Sequence, residues 1–171
     1  MIKNQKSQKG FTIIEVALVL AVGALIFLVV FLAVPALQRN QRNDARKRDA
    51  SSVAEAITSY TSANPSKAVD AEKGDGKIYV AGEESKKAGI GQFIDTLSNN
   101  TDQVLWSAAT TDINSVGDSS ESDKKNRLYV VPSTQCDTGA NTLKAGSKKQ
   151  AAVVYFNETA GGVSAACQSV N

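Results

Sequence analysis

The chain has 171 residues, a formal net charge of +2 and no histidine. The lack of histidine excludes Ser-His-Asp and Cys-His catalysis as well as His-based zinc sites, and no other nucleophile–base pair is recognisable, so we expect neither an enzyme nor a cofactor. Residues 50–171 carry a net charge of −3, so this part is not a basic binder and no nucleic-acid binding is evident.

The chain begins with a short basic leader, and a long apolar run follows it. Lys3, Lys6 and Lys9 precede residues 16–37, which contain no charged side chain. A helix over those residues spans about 33 Å, enough to cross a bilayer core of about 30 Å. The carboxylate of Glu15 stands near the start of this run, where a buried charge is costly unless it is paired.

Two simple interpretations of the apolar run leave features unexplained. A cleaved secretory signal has an apolar core of about 7–15 residues, shorter than this run, and does not carry a residue like Glu15. A plain single-pass anchor explains neither Gly10-Phe11 nor Glu15. The distribution of basic residues does not decide the orientation, because lysines precede the run and five Lys or Arg follow it in residues 39–48.

A third interpretation rests on the segment Lys9-Gly10-Phe11-Thr12-Ile13-Ile14-Glu15-Val16. It resembles the class III signal of type IV prepilins, in which a basic leader ends in Gly and is followed by Phe-Thr, an acidic residue and an apolar helix. The resemblance covers about residues 1–60. It implies cleavage after Gly10 by a prepilin peptidase and N-methylation at Phe11.

The resemblance also implies where the chain is located before and after assembly. It would insert as a single-pass membrane precursor and would then be extracted, through an assembly platform in the inner or cytoplasmic membrane, into a helical homo-oligomeric filament on the cell surface.

Within that resemblance, Glu15 has a specific assembly role. Cleavage would create a positive amine at Phe11, one helical turn from Glu15. We hypothesise that the Phe11 amine of a neighbouring copy pairs with Glu15 and sets the register of packed helices. The alternative is that Glu15 simply lies at the wet membrane interface.

The apolar run contains two helix-weakening residues, Gly23 and Pro35. Proline lacks an amide hydrogen and disturbs the helix around it. We therefore predict a break or stretch of the helix between Gly23 and Pro35 in the assembled state.

The helix is predicted to continue through residues 38–64. Apolar residues recur there with helical spacing and form one stripe, which we expect a sheet to cover: Val53, Ala56, Ile57 and Tyr60. Asn64-Pro65 should end the helix. The basic cluster of residues 39–48 is either a solvated or lipid-headgroup face, or a surface that pairs with the acidic head of a neighbour.

The rest of the chain predicts short strands after a turn-rich loop over residues 65–77. The candidate strands are rich in Val, Tyr and Trp and lie at residues 77–81, 104–108, 128–132, 152–157 and 162–167, with a short helix within 85–97. The predicted fold class is α+β, a long N-terminal helix packed on a small antiparallel sheet, which is also the pilin fold.

A polar run from Asp112 to Asp123 faintly resembles a calcium loop. Val116 at the fifth position and an Asp rather than a Glu at the twelfth depart from that pattern. We therefore expect a polar loop and no metal site.

Cys136 and Cys167 are the two cysteines. A membrane-targeted chain exports its head, and exported pairs are usually oxidised, so we predict a disulfide between them. The alternative is two buried free thiols.

These observations divide the chain into a leader (1–10), a transmembrane and assembly helix (11–37), an amphipathic continuation (38–64) and a globular head (65–171). The resemblance implies a structural subunit of a type IV pilus serving adhesion, twitching motility or DNA uptake. A pseudopilin of a type II secretion or competence apparatus shares the same N-terminus. A membrane-anchored binding domain is the third candidate.

Overall fold

The computed structural model of the chain describes residues 10–69, 76–82, 89–95, 97–117, 120–137 and 142–170. The chain divides between Gln38 and Arg39 into two compact units. Predictions that concern the leader lysines, residues 70–75 of the turn-rich loop and residues 85–88 of the short helix lie outside the described residues.

The first element is a single helix, α1, from Ile13 to Ala63. It ends where the sequence predicts, because Pro65 follows and Asn64 closes the last turn. The backbone N–H and the side-chain amide of Asn64 both donate to the carbonyl of Tyr60, at 2.9 Å and 3.1 Å. The carbonyl that would otherwise lack a helical partner is thereby satisfied.

Seven strands are described after α1: β1 (Lys77–Val80), β2 (Gln103–Trp106), β3 (Arg127–Pro132), β4 (Thr134–Asp137), β5 (Thr142–Ala145), β6 (Ala151–Thr159) and β7 (Gly162–Val170). Five of them form one sheet in the order β1-β2-β3-β6-β7, and β4 pairs with β5 in a separate hairpin. A long helix with a mostly antiparallel sheet confirms the predicted α+β class.

The sheet is mixed, because β2 and β3 run parallel while the other neighbours are antiparallel. A parallel pair needs a long crossover, and residues 107–126 supply it. That segment contains a 3₁₀ turn at Ile113–Ser115 and a short helix, α2, at Glu121–Lys124. The sequence predicted a small antiparallel sheet and did not indicate this one parallel pair or its crossover.

Both faces of the sheet are covered, so the head has two apolar cores. Successive side chains of β3 point to opposite faces. Leu128 and Val130 join the first core, which faces α1, while Tyr129 and Val131 join the second. The helix contributes the predicted stripe to the first core, with Val53, Ala56, Ile57 and Tyr60 all buried.

The second core is covered by elements that the sequence did not predict. Ile113 and Val116 of the crossover and Leu143 of β5 pack there and are at most 3% exposed. The strands β4 and β5 are short and largely polar, so they carry little of the β-branched and aromatic signal. Their place in the fold depends on the apolar face that they cover.

Candidate processing and assembly site

The Gly10-Phe11 junction lies in non-helical backbone ahead of α1, whose first residue is Ile13. The side chain of Phe11 is 89% exposed. A Cβ added to Gly10 would meet no atom within 4 Å. The junction is therefore accessible within the described part of the chain, as a peptidase substrate must be.

The first turn of α1 is closed by Thr12 and Glu15. The Glu15 oxygen Oε2 accepts hydrogen bonds from the Thr12 backbone N–H at 3.0 Å and from the Thr12 hydroxyl at 2.9 Å, and the Glu15 N–H donates back to that hydroxyl at 3.3 Å. This reciprocal arrangement is a capping box, which satisfies helix N–H groups that have no partner within the helix.

Sequence reasoning missed this role of Thr12. The signal was present, because a Thr followed three residues later by a Glu just before an apolar run is the pattern of a capping box.

The first half of α1 exposes an apolar surface. The large hydrophobic side chains from Ile13 to Leu37 are at least 41% exposed, and an 18-residue window of α1 has a mean hydropathy of 3.2 with none of it buried. By length and composition this helix can cross a membrane. The apolar helix fits membrane insertion.

Gly23 and Pro35 both lie inside the continuous helix. Pro35 has no amide hydrogen, so the carbonyl of Phe31 lacks its usual helical partner. A Cβ at Gly23 would meet no atom within 4 Å. The predicted break between these residues concerns the assembled state and stays a prediction.

Four of the five basic residues in the cluster 39–48 fall into two sets. Arg42 and Arg46 bind Glu158 of the same chain, each with a shortest N–O distance of 2.6 Å. Lys47 and Arg48 are exposed. The sequence suggested two roles for this cluster: a face exposed to solvent or lipid headgroups, or a surface that pairs with a neighbouring copy. Neither role predicted that Arg42 and Arg46 pair within the chain.

The Cys136–Cys167 disulfide is present and joins β4 to β7, with 5.9 Å between the two Cα atoms. Beside it, the backbone N–H of Cys136 donates to the Ser169 hydroxyl at 2.9 Å. The bond fastens the β4–β5 hairpin to the sheet over the second core.

The described residues contain no group of three or more His, Cys, Asp or Glu side chains that could hold a metal ion. The Asp112 carboxylate is used locally, because its Oδ1 accepts hydrogen bonds from the backbone N–H and the side-chain amide of Asn114. It caps the 3₁₀ turn that follows.

The exposed junction, the capped first turn and the apolar helix lie in one continuous segment. Residues 5–31 match the prokaryotic N-terminal methylation motif. This motif is the class III signal peptide of type IV pilins, which confirms the resemblance carried by Lys9–Val16. It supports a type IV pilin-like or pseudopilin precursor, a structural protein processed by a prepilin peptidase for pilus assembly. No curated protein and no solved structure matches the chain.

Proposed function

We propose that the chain is a structural subunit of a type IV pilus, cleaved between Gly10 and Phe11 and polymerised through its N-terminal helix into a surface filament. The observation that carries the proposal is the methylation motif over residues 5–31, and the large apolar side chains from Ile13 to Leu37 are exposed in the described chain. Its partners are then the peptidase, the membrane-bound assembly platform and further copies of itself.

The surroundings of the junction support cleavage there. Gly10 lies outside the helix with open space around it, and Phe11 is almost fully exposed. Substitution of Gly10 has no neighbour to disturb, so its effect should fall on peptidase recognition and not on folding. Cleavage would leave Phe11 with a charged amine just ahead of the capping box.

The geometry of Glu15 supports a second, intermolecular use of its carboxylate. Both hydrogen bonds from Thr12 end on Oε2. A carboxylate offers about four acceptor positions over its two oxygens. Oε1 can therefore accept a bond from the Phe11 amine of a neighbouring copy while Thr12 holds the side chain in place.

The apolar half of α1 supports polymerisation. Each large apolar side chain is worth about 1.5–3 kcal/mol when it is fully removed from water. Residues 13–37 therefore need lipid before assembly and the helices of other copies after it. A filament with these helices at its centre satisfies that need once the chain leaves the membrane.

The test is N-terminal mass analysis of the full chain co-expressed with a prepilin peptidase. We expect a mature chain that begins at methylated Phe11, and a Gly10→Leu variant that stays uncleaved. Glu15→Ala should insert into the membrane normally but lose filament yield, whereas Glu55→Ala, which removes an exposed carboxylate farther along α1, should assemble normally.

Two results would overturn parts of this proposal. Retention of residues 1–9 on the mature protein would contradict the processing step and favour a membrane-anchored binding domain. Normal filament assembly by Glu15→Ala would contradict the pairing role. A processed chain that is absent from purified surface appendages would assign it as a pseudopilin of a type II secretion or competence apparatus.

A further inference from the structure

Three residues in the second half of α1 bind one residue at the tip of the β6–β7 hairpin. Arg42 donates to the Glu158 carboxylate through Nη2 at 2.6 Å and through Nε at 3.1 Å to each oxygen. Arg46 donates to it through Nη2 at 2.6 Å. We call Arg42, Asn43, Arg46 and Glu158 the hairpin clasp.

The main chain of Glu158 is bound as well. The Asn43 amide donates to the Glu158 carbonyl at 2.9 Å, and its oxygen accepts from the Glu158 N–H at 2.8 Å. Arg46 donates to the Asn43 oxygen at 3.1 Å and, through Nε, to the Lys125 carbonyl at 2.6 Å. The helix therefore binds both the side chain and the backbone of Glu158.

Two charged side chains of the clasp are shielded from solvent, whereas Arg42 is 38% exposed. The Arg46 side chain is 3% exposed and that of Glu158 is 14% exposed. Hydrogen bonds from Arg42 and then Arg46 hold the pKa of Glu158 down at about 2, against the upward effect of burial. The carboxylate is therefore ionised at physiological pH, and protonation does not weaken the clasp in that range.

The position of the clasp suggests what it does. The first apolar core begins on α1 at Ala50, after the clasp residues. The apolar side chains that α1 contributes to this core recur about every helical turn, so a shift of α1 by one turn, about 5.4 Å, would still place several apolar side chains against the sheet. Hydrophobic burial is non-directional and distinguishes such registers weakly.

The clasp distinguishes these registers strongly. A shift by one turn would separate the two arginines and Asn43 from Glu158 and leave a shielded carboxylate without its partners, which is costly. A slip by one residue would rotate α1 by about 100° and move the same groups out of reach. A single polar residue specifies register in coiled-coil seams for the same reason.

We infer that the hairpin clasp is a register lock which, together with the buried Asp49, sets the axial and rotational place of the second half of α1 on the sheet, with Glu158 as the positioning residue of the clasp. Glu158 lies near the end of β6, where it is paired with Val163 of β7, so the lock fixes α1 to the β6–β7 hairpin. For the filament, and resting on the proposed function, the lock makes every copy fold residues 39–63 of α1 onto the sheet in the same register.

The test measures the register directly in the full chain in detergent micelles. Spin labels attached by non-cysteine chemistry at the exposed positions Glu55 and Ala160 report the distance between α1 and the hairpin tip. Position 55 lies about 18 Å along the helix from Asn43, which binds the hairpin tip. The two labels are therefore separated by a distance that pulsed electron paramagnetic resonance can measure. The unmodified clasp should give one narrow distance.

Glu158→Gln keeps the shape of the side chain but removes its charge. A hydrogen bond to a charged group stabilises enough to change a population by about tenfold or more, so we expect a second distance population to rise by at least about tenfold. Arg42→Gln leaves the bond from Arg46 and should show a smaller change in the same direction. An unchanged single distance in both variants would overturn the lock.

Two controls separate register from stability and charge. Val53→Ala weakens the first core and should lower the unfolding midpoint without adding a second distance. Asp44→Asn removes an exposed carboxylate from the same helix and should change neither the unfolding midpoint nor the distance distribution. A second distance in Val53→Ala would show that any loss of stability mobilises α1, and this result would also overturn the lock.

Filament yield provides the functional measurement. We expect Glu158→Gln to reduce yield by about tenfold at a temperature where its head stays folded, because a hydrogen bond to a charged group shifts a population by about that factor. Val53→Ala should assemble normally. Failure of the unmodified chain to form filaments would contradict the proposed function alone, since the distance measurement still decides the lock.

Discussion

Gly117 provides a sharp test of how the second core is packed. Its backbone has a φ of +83°, and a Cβ at this position would lie 2.7 Å and 2.8 Å from two ring carbons of Tyr129. The Tyr129 ring is 2% exposed and meets Phe156 edge to face, with 6.2 Å between ring centroids. The ring therefore has little room to move.

The cost of Gly117→Ala has two parts. A left-handed conformation costs a residue with a side chain about 1–2 kcal/mol. Overpacking a filled core adds about 1–3 kcal/mol. We expect the free energy of unfolding to fall by about 2–5 kcal/mol in total.

The chain contains a matched control for the first part. Gly82 has a φ of +80°, but a Cβ there would meet no atom within 4 Å. Gly82→Ala should therefore lose only the conformational cost of about 1–2 kcal/mol. The difference between the two variants measures the contact with Tyr129.

The assay is guanidinium unfolding of the full chain in mild detergent, followed by the fluorescence of Trp106, the only tryptophan in the sequence. Tyr129→Leu should bring the two glycine variants closer together, because a double-mutant cycle isolates the contact. Equal losses in Gly117→Ala and Gly82→Ala would refute the reasoning, since the ring would then have moved aside without cost.

Three further outcomes follow from the polar contacts and the disulfide. Asp49 is buried and accepts three hydrogen bonds from the segment over residues 98–101, so Asp49→Ala should lower the free energy of unfolding by about 3 kcal/mol or more in the same assay, against about 0.5 kcal/mol or less for the exposed Asp44→Ala. The pKa of Glu158 is lowered from 4.5 to about 2, so its stabilisation is complete above about pH 4.5 and is lost as the pH falls towards 2. A pKa shift of this size corresponds to about 3 kcal/mol of stability, which solvent screening reduces to about 1–2 kcal/mol. As the pH falls through this range, the free energy of unfolding of Glu158→Gln should therefore decrease by about 1–2 kcal/mol less than that of the unmodified chain. Reduction of Cys136–Cys167, which closes a loop of sequence separation 31, should lower the free energy of unfolding by about 4 kcal/mol, and a Cys136→Ala/Cys167→Ala variant should not respond to the reductant.

Much of the N-terminal segment could be predicted from sequence because its signals are contiguous. The apolar run, the residues of the proposed cleavage junction and the Thr12–Glu15 pattern all lie within one short stretch, and the match at residues 5–31 confirms the family resemblance of its signal. The capping box was missed although its spacing was visible. Its chemistry is local, so the sequence contained everything needed to predict it.

The most buried strands carried a clear sequence signal. β3 and β6 are covered on both faces and read as apolar runs, so both were predicted close to their observed bounds. β4 and β5 were missed because they are short and polar. They form a hairpin over an apolar face built from residues elsewhere in the chain.

The amino-acid sequence by itself determined the long helix, its apolar first half, the N-terminal methylation motif and the composition of the head. Each of these follows from local pattern and spacing. Only the tertiary structure decided that β2 and β3 run parallel and that Glu158 meets arginines 116 and 112 residues away. Such contacts exist only after the chain has folded back on itself, because residues so distant in sequence carry no shared local signal.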